Sequence, residues 1–230
     1  QKVNSFTALI SVQADGSSAG NSAFSGTFKE QRKPLRIAED FSTFQAAGQS
    51  LGSMSMIITP TEMYLKLGMI TQMLHTSKPW VEFPISALKS SDSLSQLLGQ
   101  AQTNDPLSDA KLLDAVTNLR TVGPDTVDGT PVTEYTGSAT INRAMAELPA
   151  SVRTQFGQQA EQLGIGEINF KVWIDGQRNI RQEISTMTGS TVTVTTTMTT
   201  TSINQPVTIT MPSASQTTSV PASALSGSGV

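Results

Sequence analysis

The sequence contains no cysteine. Thiol nucleophiles, disulfides and thiolate metal sites are therefore excluded, and thiol usage says nothing about redox compartment. A single histidine, His75, rules out a multi-histidine metal site within one chain. Charged residues are scarce, 14% of 230 positions, with a formal net charge of −3 and no Lys/Arg run. A nucleic-acid partner needs a clustered basic face to displace counterions, so that class is excluded as well. Lys33 and Arg36 merely flank Pro34 at a hairpin end. Missing too is any apolar run of the ~18 residues that a spanning helix requires.

Ser, Thr, Gly and Gln fill the place of the missing charge, a surface chemistry common in secreted proteins. The sequence opens at Gln1-Lys2-Val3, close to a strand, and is expected to follow an export signal and anchor that it does not include. Its length suits one sizeable core, so a single domain is expected over 1–211. From Pro212 to Val230 only small, polar and a few aliphatic residues remain, which reads as a flexible Ser/Thr-rich tail.

The first third alternates with period two. Phe6, Ala8, Ile10 and Val12 share one face of a strand, and a second strand carries Phe24 and Phe28. A third runs through Leu35, Ile37, Glu39 and Phe41, a fourth over Met54 to Thr59, and a fifth over Met63 to Leu67. Sequential hairpins of this kind predict an antiparallel meander. The middle reads as helical. Asp105-Pro106 makes a helix start, and Leu107, Lys111, Ala115 and Leu119, flanked by Leu112 and Val116, give an amphipathic stripe. A weaker helix covers 93–102. After a strand over Gly129 to Ala139, a stripe from Met145 through Leu148, Val152, Phe156 and Ala160 to Leu163 predicts helices broken at Pro149 and stopped by Gly164. The last third returns to strands around Ile168 to Ile174, Ile180 to Ile184 and Thr191 to Thr201. About ten strands with inserted helices make an α+β class, in which so long a meander curls when helices cover one face.

Three segments together carry a family resemblance. They are Thr59-Pro60-Thr61-Glu62-Met63-Tyr64-Leu65-Lys66 followed by Lys78-Pro79-Trp80-Val81, Val127 through Gly137 around Asp128-Gly129-Thr130-Pro131-Val132, and Lys171-Val172-Trp173-Ile174-Asp175 running into Ile180-Arg181. In this order and spacing the chain resembles the LppX/LprAFG family of actinobacterial lipoproteins, grouped with the LolA/LolB-like lipoprotein carriers. The resemblance implies a large curved antiparallel β-sheet, a half-barrel, with helices packed on its concave face around a hydrophobic pocket. It also implies an extracytoplasmic protein held at the cell membrane by a lipidated N-terminal cysteine. That cysteine is absent from this sequence, and anchoring is an expectation.

Motifs for chemistry are few. Gly48-Gln49-Ser50-Leu51-Gly52 matches G-x-S-x-G in letters, yet Ser50 lies between two strand patterns and reads as a hairpin loop, where the nucleophile elbow needs a strand before and a helix after. His75 stands on a polar connection with no partner near in sequence. Asp105, Asp109 and Asp114 lack EF-hand spacing and fit a capped, solvated helix. Trp80 and Trp173 read as packing residues between sheet and helices.

The apolar chemistry is more telling. Met54, Met56, Met63, Met69 and Met73 crowd into twenty residues together with Ile58, Leu65 and Leu67. Methionine is flexible and polarisable and lines surfaces that adapt to varied apolar ligands. Such residues also fill ordinary cores, and the resemblance makes the two readings equal. The candidate cavity residues are Met54, Met56, Ile58, Met63, Leu65 and Leu67 from the sheet, opposite Leu112, Val116, Met145, Val152 and Phe156 from the helices. Gating by helix movement would hinge at Pro149 and at Gly164-Ile165-Gly166. The leading expectation is a non-enzymatic, monomeric lipoprotein that binds a lipid or other apolar small molecule without a cofactor. The alternative is an envelope interaction protein with a filled core and a partner-docking surface. An esterase would require Ser50 and His75 within hydrogen-bond reach.

Overall fold

In the computed structural model the described residues are 3–16, 21–46, 49–85, 116–147 and 150–220. Twelve strands form one open sheet: β1 (Ser5–Gly16), β2 (Ser22–Arg32), β3 (Leu35–Ala46), β4 (Gln49–Ile58), β5 (Glu62–Leu67), β6 (Trp80–Pro84), β7 (Thr117–Val127), β8 (Thr130–Thr140), β9 (Glu167–Asp175), β10 (Ile180–Thr188), β11 (Val192–Ile203) and β12 (Thr217–Ser219). Their order is β12-β6-β5-β4-β3-β2-β1-β11-β10-β9-β8-β7. Among the pairings defined residue by residue, all are antiparallel except β12, which runs parallel to β6. The helices among the described residues are few: α1 (Gly68–Met73), α2 (Ile141–Glu147) and α3 (Ala150–Leu163). The meander and the α+β mixture follow the sequence pattern. The expected helices over 93–102 and from Asp105 to Ala115 lie outside the described residues.

The chain divides into two compact units, one of Gln1–Ile10, Ala23–Leu98 and Thr201–Val230, the other of Ser11–Ser22 and Gly99–Thr200. In the first, β2 to β6 are joined by hairpins and short connections. Alternation places Phe28, Phe41, Met56, Met63, Leu65, Val81 and Phe83 at 0–6% exposure on one face. Burying side chains of this size contributes about 1.5–3 kcal/mol each. On the opposite face Ala38 and Ile57 are covered by Ile209, with Tyr64, Trp80, Val207 and Met211 packed around them. The chain after β11 therefore runs back over the sheet as a strap.

The strap leads into the first residues of the stretch expected as a Ser/Thr-rich tail. Past Pro212 the chain makes a 3-10 turn (Ala214–Gln216) and then β12, where Thr217, Thr218 and Ser219 pair with Trp80, Val81 and Glu82. Lys78 Nζ donates to the carbonyls of Ala214 and Thr217 at 3.0 and 2.8 Å. The Val220 N–H reaches the Glu82 carbonyl at 2.9 Å. Composition hid this because backbone groups and two small buried residues, Thr217 and Val220, hold the segment without hydrophobic bulk.

In the second unit Ala139, Ile168, Phe170 and Val172 form the core with Ala144 of α2. The β7–β8 turn is Asp128-Gly129, both with positive φ (46° and 76°), the two-residue geometry that asks for Asp-Gly. Helix α3 ends where the sequence predicts, at Gly164 with φ 68°. There the Gly164 and Ile165 N–H groups return to the Glu161 and Ala160 carbonyls at 3.1 and 2.8 Å, a Schellman closure in which Ala160 and Ile165 are both buried.

The stripe through Leu119 is a correction. Thr117 to Val127 is a strand, with Leu119 61% exposed. Three β-branched residues, Thr117, Thr121 and Val122, and pairing with Ser138, Thr136 and Tyr135 outweigh the four-residue spacing. Met69 and Met73, expected in the meander, lie on α1, and Met69 is 59% exposed.

Candidate functional site

The six sheet residues proposed from sequence are brought together. Met54 pairs with Leu67, Met56 with Leu65, and Ile58 with Met63 across the β4–β5 ladder. Cross-strand partners share a face, so the six form three adjacent pairs on one side of the first unit. Met56, Met63, Leu65 and Leu67 are buried, Met54 and Ile58 half-buried. The period of the strands, together with turns at Thr59-Pro60 and around Gly68, sets this register. The six extend the row begun by Phe28 and Phe41, and Phe6 stacks on Phe28 with ring centroids 5.1 Å apart.

The residues proposed for the opposite wall fare differently. Leu112 lies outside the described residues. Val116 is not on a helix: it directly precedes β7 and packs, half-buried, against Ala139, Ile168 and Phe170. The β pairing that begins at Thr117 draws it into the core of the second unit. Met145 is half-buried on α2, against Gly157 of α3. Val152 and Phe156 are on α3, with their side chains outside the described set.

Sequence reasoning placed Glu39 in phase with Leu35, Ile37 and Phe41 without giving it a role. It lies between Phe28 and Met56 on the apolar face, only 3% exposed. Its Oε1 is buried with no hydrogen-bond partner, and burial pushes its carboxyl up to about 7. Glu30, on the same face, differs: its Oε1 accepts the Arg32 Nε–H at 2.7 Å. In the second unit Glu183 sits between Val172 and Met198, 5% exposed, and burial moves it upward too, to about 7. For Glu39 the signal is an acid at an apolar phase of an alternating strand; Glu183 shares its phase with Arg181 and Ser185, and alternation does not mark it.

The remaining candidates stand apart from chemistry. Ser50 is exposed and belongs to β4, opposite Gln45, where a hairpin loop was expected; no helix follows it. His75 is exposed, with φ 49°, and its N–H closes α1 on the Gln72 carbonyl at 3.1 Å. Trp80 packs half-buried with Ile57 and Ile209. Trp173 is 7% exposed beside Val127 and Val132. An open cleft of about 460 Å³ in the second unit is polar, lined chiefly by Asn118, Arg120, Thr136, Ser138 and Asn169, and contains none of the proposed cavity residues. Asp105, Asp109 and Asp114 lie outside the described residues.

Comparison with known proteins places this geometry in a fold. LprF from Mycobacterium bovis superposes with a TM-score of 0.54 at 15% identity, over 92% of this chain and 90% of that one. The Mycobacterium tuberculosis lipoprotein LppX aligns over 90% of each chain at 17% identity and a TM-score of 0.49. The LolA superfamily protein NE2245 from Nitrosomonas europaea aligns over 91% and 89% at 4% identity and a TM-score of 0.32. No family model and no curated protein sequence matches the chain. The chain has the fold of LprF, the LppX/LprAFG-type fold that the three sequence segments imply.

Proposed function

We propose that this protein is an extracytoplasmic lipoprotein-type binding module that holds a lipid or other apolar molecule against the face formed by Met54, Met56, Ile58, Met63, Leu65 and Leu67. The observation that carries the reading is their register: three cross-strand pairs set three methionines, two leucines and one isoleucine on a single face. The fold shared with LprF supports it. Binding would rest on desolvation, about 0.8 kcal/mol for each buried methylene, so a two-chain lipid needs few polar contacts. The protein acts as a monomer, tethered through a lipidated N-terminus and without catalysis.

A second reading is favoured by Met63 and Val81, both 0% exposed. Here the face is permanently filled by the chain itself, and an outer surface docks an envelope partner. Solvent extraction of protein purified from its native or a related host, followed by mass spectrometry, separates the two. Stoichiometric lipid, lost in Met56→Glu, establishes the binding module and its cargo class. A clean extract from folded protein establishes the filled core.

A further inference from the structure

The row Phe28–Glu39–Met56–Leu65–Val81 crosses five neighbouring strands, and four of its five members are apolar. Glu39 interrupts it at 3% exposure, with Oε1 buried and unpartnered. Among the described residues nothing pairs with that oxygen or calls for an acid there. Leucine or methionine would continue the row and remove the cost of an unsatisfied buried oxygen. Buried polar groups in native proteins are overwhelmingly hydrogen-bonded, so one left unpaired calls for an explanation, and a polar group carried by a ligand at this face supplies one. Stability surrendered at such a position is a common mark of function.

We infer that the Glu39 carboxyl is the polar recognition point of this face, hydrogen-bonding an ester or hydroxyl oxygen of the bound lipid. The inference rests on the apolar-ligand reading of the same face and adds the ligand's chemistry. Burial favours the neutral form of the acid, which has an O–H to donate and a carbonyl oxygen to accept with. An ester carbonyl takes the first and a hydroxyl takes either. A bare hydrocarbon takes neither and leaves Glu39 unpaired. A site that hydrogen-bonds its ligand rejects the analogue lacking that group more strongly than it distinguishes one methylene.

The test uses two fluorescent probes of equal length, a pyrene-labelled fatty-acid methyl ester and a pyrene-labelled alkane, titrated into the full chain. Wild type is expected to prefer the ester by about ten-fold, the worth of one buried neutral hydrogen bond. In Glu39→Leu the preference falls to within about two-fold while alkane binding is kept or tightened. Glu39→Gln, which retains a donor and an acceptor, preserves most of it. Should Glu39→Leu not fold, Glu39→Met, matching its neighbour Met56, replaces it. Equal binding of the two probes by wild type, or an undiminished ester preference in the apolar variant, overturns the inference and leaves the apolar-ligand reading standing. Failure of wild type to bind either probe overturns both.

Discussion

Trp173 of β9 donates its indole N–H to Asp125 Oδ2 of the edge strand β7 at 2.8 Å, reaching across β8 and 48 residues of sequence. The ring is 7% exposed and packs beside Val127 and Val132. One side chain therefore ties β7 down through both its apolar body and its polar edge. Trp173→Ala is expected to cost about 3–5 kcal/mol, chiefly through the cavity it leaves. Trp173→Phe and Asp125→Ala should each cost less, since either removes the hydrogen bond and keeps most of the packing. Thermal unfolding of the three variants checks the order. The Asp125 carboxyl is held below the usual carboxylate range by the Thr126 N–H first and the Trp173 indole second. Its contribution is thus present above the unfolded-state pKa and lost as pH falls through the folded one.

The β9–β10 turn depends on one carboxylate. Asp175 accepts the Gln177 and Asn179 N–H groups, each at 2.9 Å, the Asn179 side-chain amide, and the Arg181 Nε–H at 2.7 Å. Burial alone would raise its carboxyl, but the Asn179 backbone and side chain, then Arg181 and the Gln177 N–H, outweigh it and hold the group low. Asp175→Ala leaves those donors and a part-buried guanidinium without their acceptor. A loss of about 2–4 kcal/mol is expected, measured as a lower urea midpoint. An unchanged midpoint would show that water replaces the carboxylate at no cost.

Glu39 gives the opposite dependence on pH. Its carboxyl is raised from 4.5 to about 7, so the folded state holds a proton that the unfolded state releases between those values. Stability is fully present below the unfolded pKa, falls as pH rises through the window, and is level above about 7. The full span is worth about 3 kcal/mol. Glu183 adds a fall in the same direction. Urea midpoints from pH 4.5 to 8 should therefore decline in the wild type, less in Glu39→Gln, and least in Glu39→Gln/Glu183→Gln. A decline unaltered by both substitutions would assign it to other groups.

Much of this was legible because the chain is mostly half-buried strand, whose period of two is written directly in residue order. Met54, Met56 and Ile58 alternate with Ser55, Ile57 and Thr59, and the turn at Thr59-Pro60 then fixes their partners Leu67, Leu65 and Met63. The same alternation put Glu39 at an apolar phase, although a single acid in a strand does not announce that its oxygen is unpartnered. Residues 116–119 misled for a physical reason. Apolar spacing of four fits a helix, but an edge strand exposes Leu119 and Val122 with no core to impose alternation. Pairing with β8 then decides the conformation.

The strap after β11 was the least legible element, because Ser, Thr and Pro dominate it and its few apolar residues are spaced by the surface they cover. Val207, Ile209 and Met211 alternate nonetheless, and Ile209 reaches 5% exposure against Ala38 and Ile57. It is the only isoleucine in the stretch that seals the far side of β3 and β4, with Trp80 and Tyr64 as its rim. Ile209→Ala should cost about 2–5 kcal/mol through lost burial and the cavity left behind. Removal of 206–230 should cost more, since it also strips β12 from β6 and the Lys78 contacts to Ala214 and Thr217. Hydrogen exchange localises the effect: amides of β6, which hydrogen-bond to β12, should lose protection in the truncation before those of β9 and β10. If Ile209→Ala unfolds at the wild-type midpoint, the strap lies on the sheet without stabilising it, and the face beneath it is accessible to a partner.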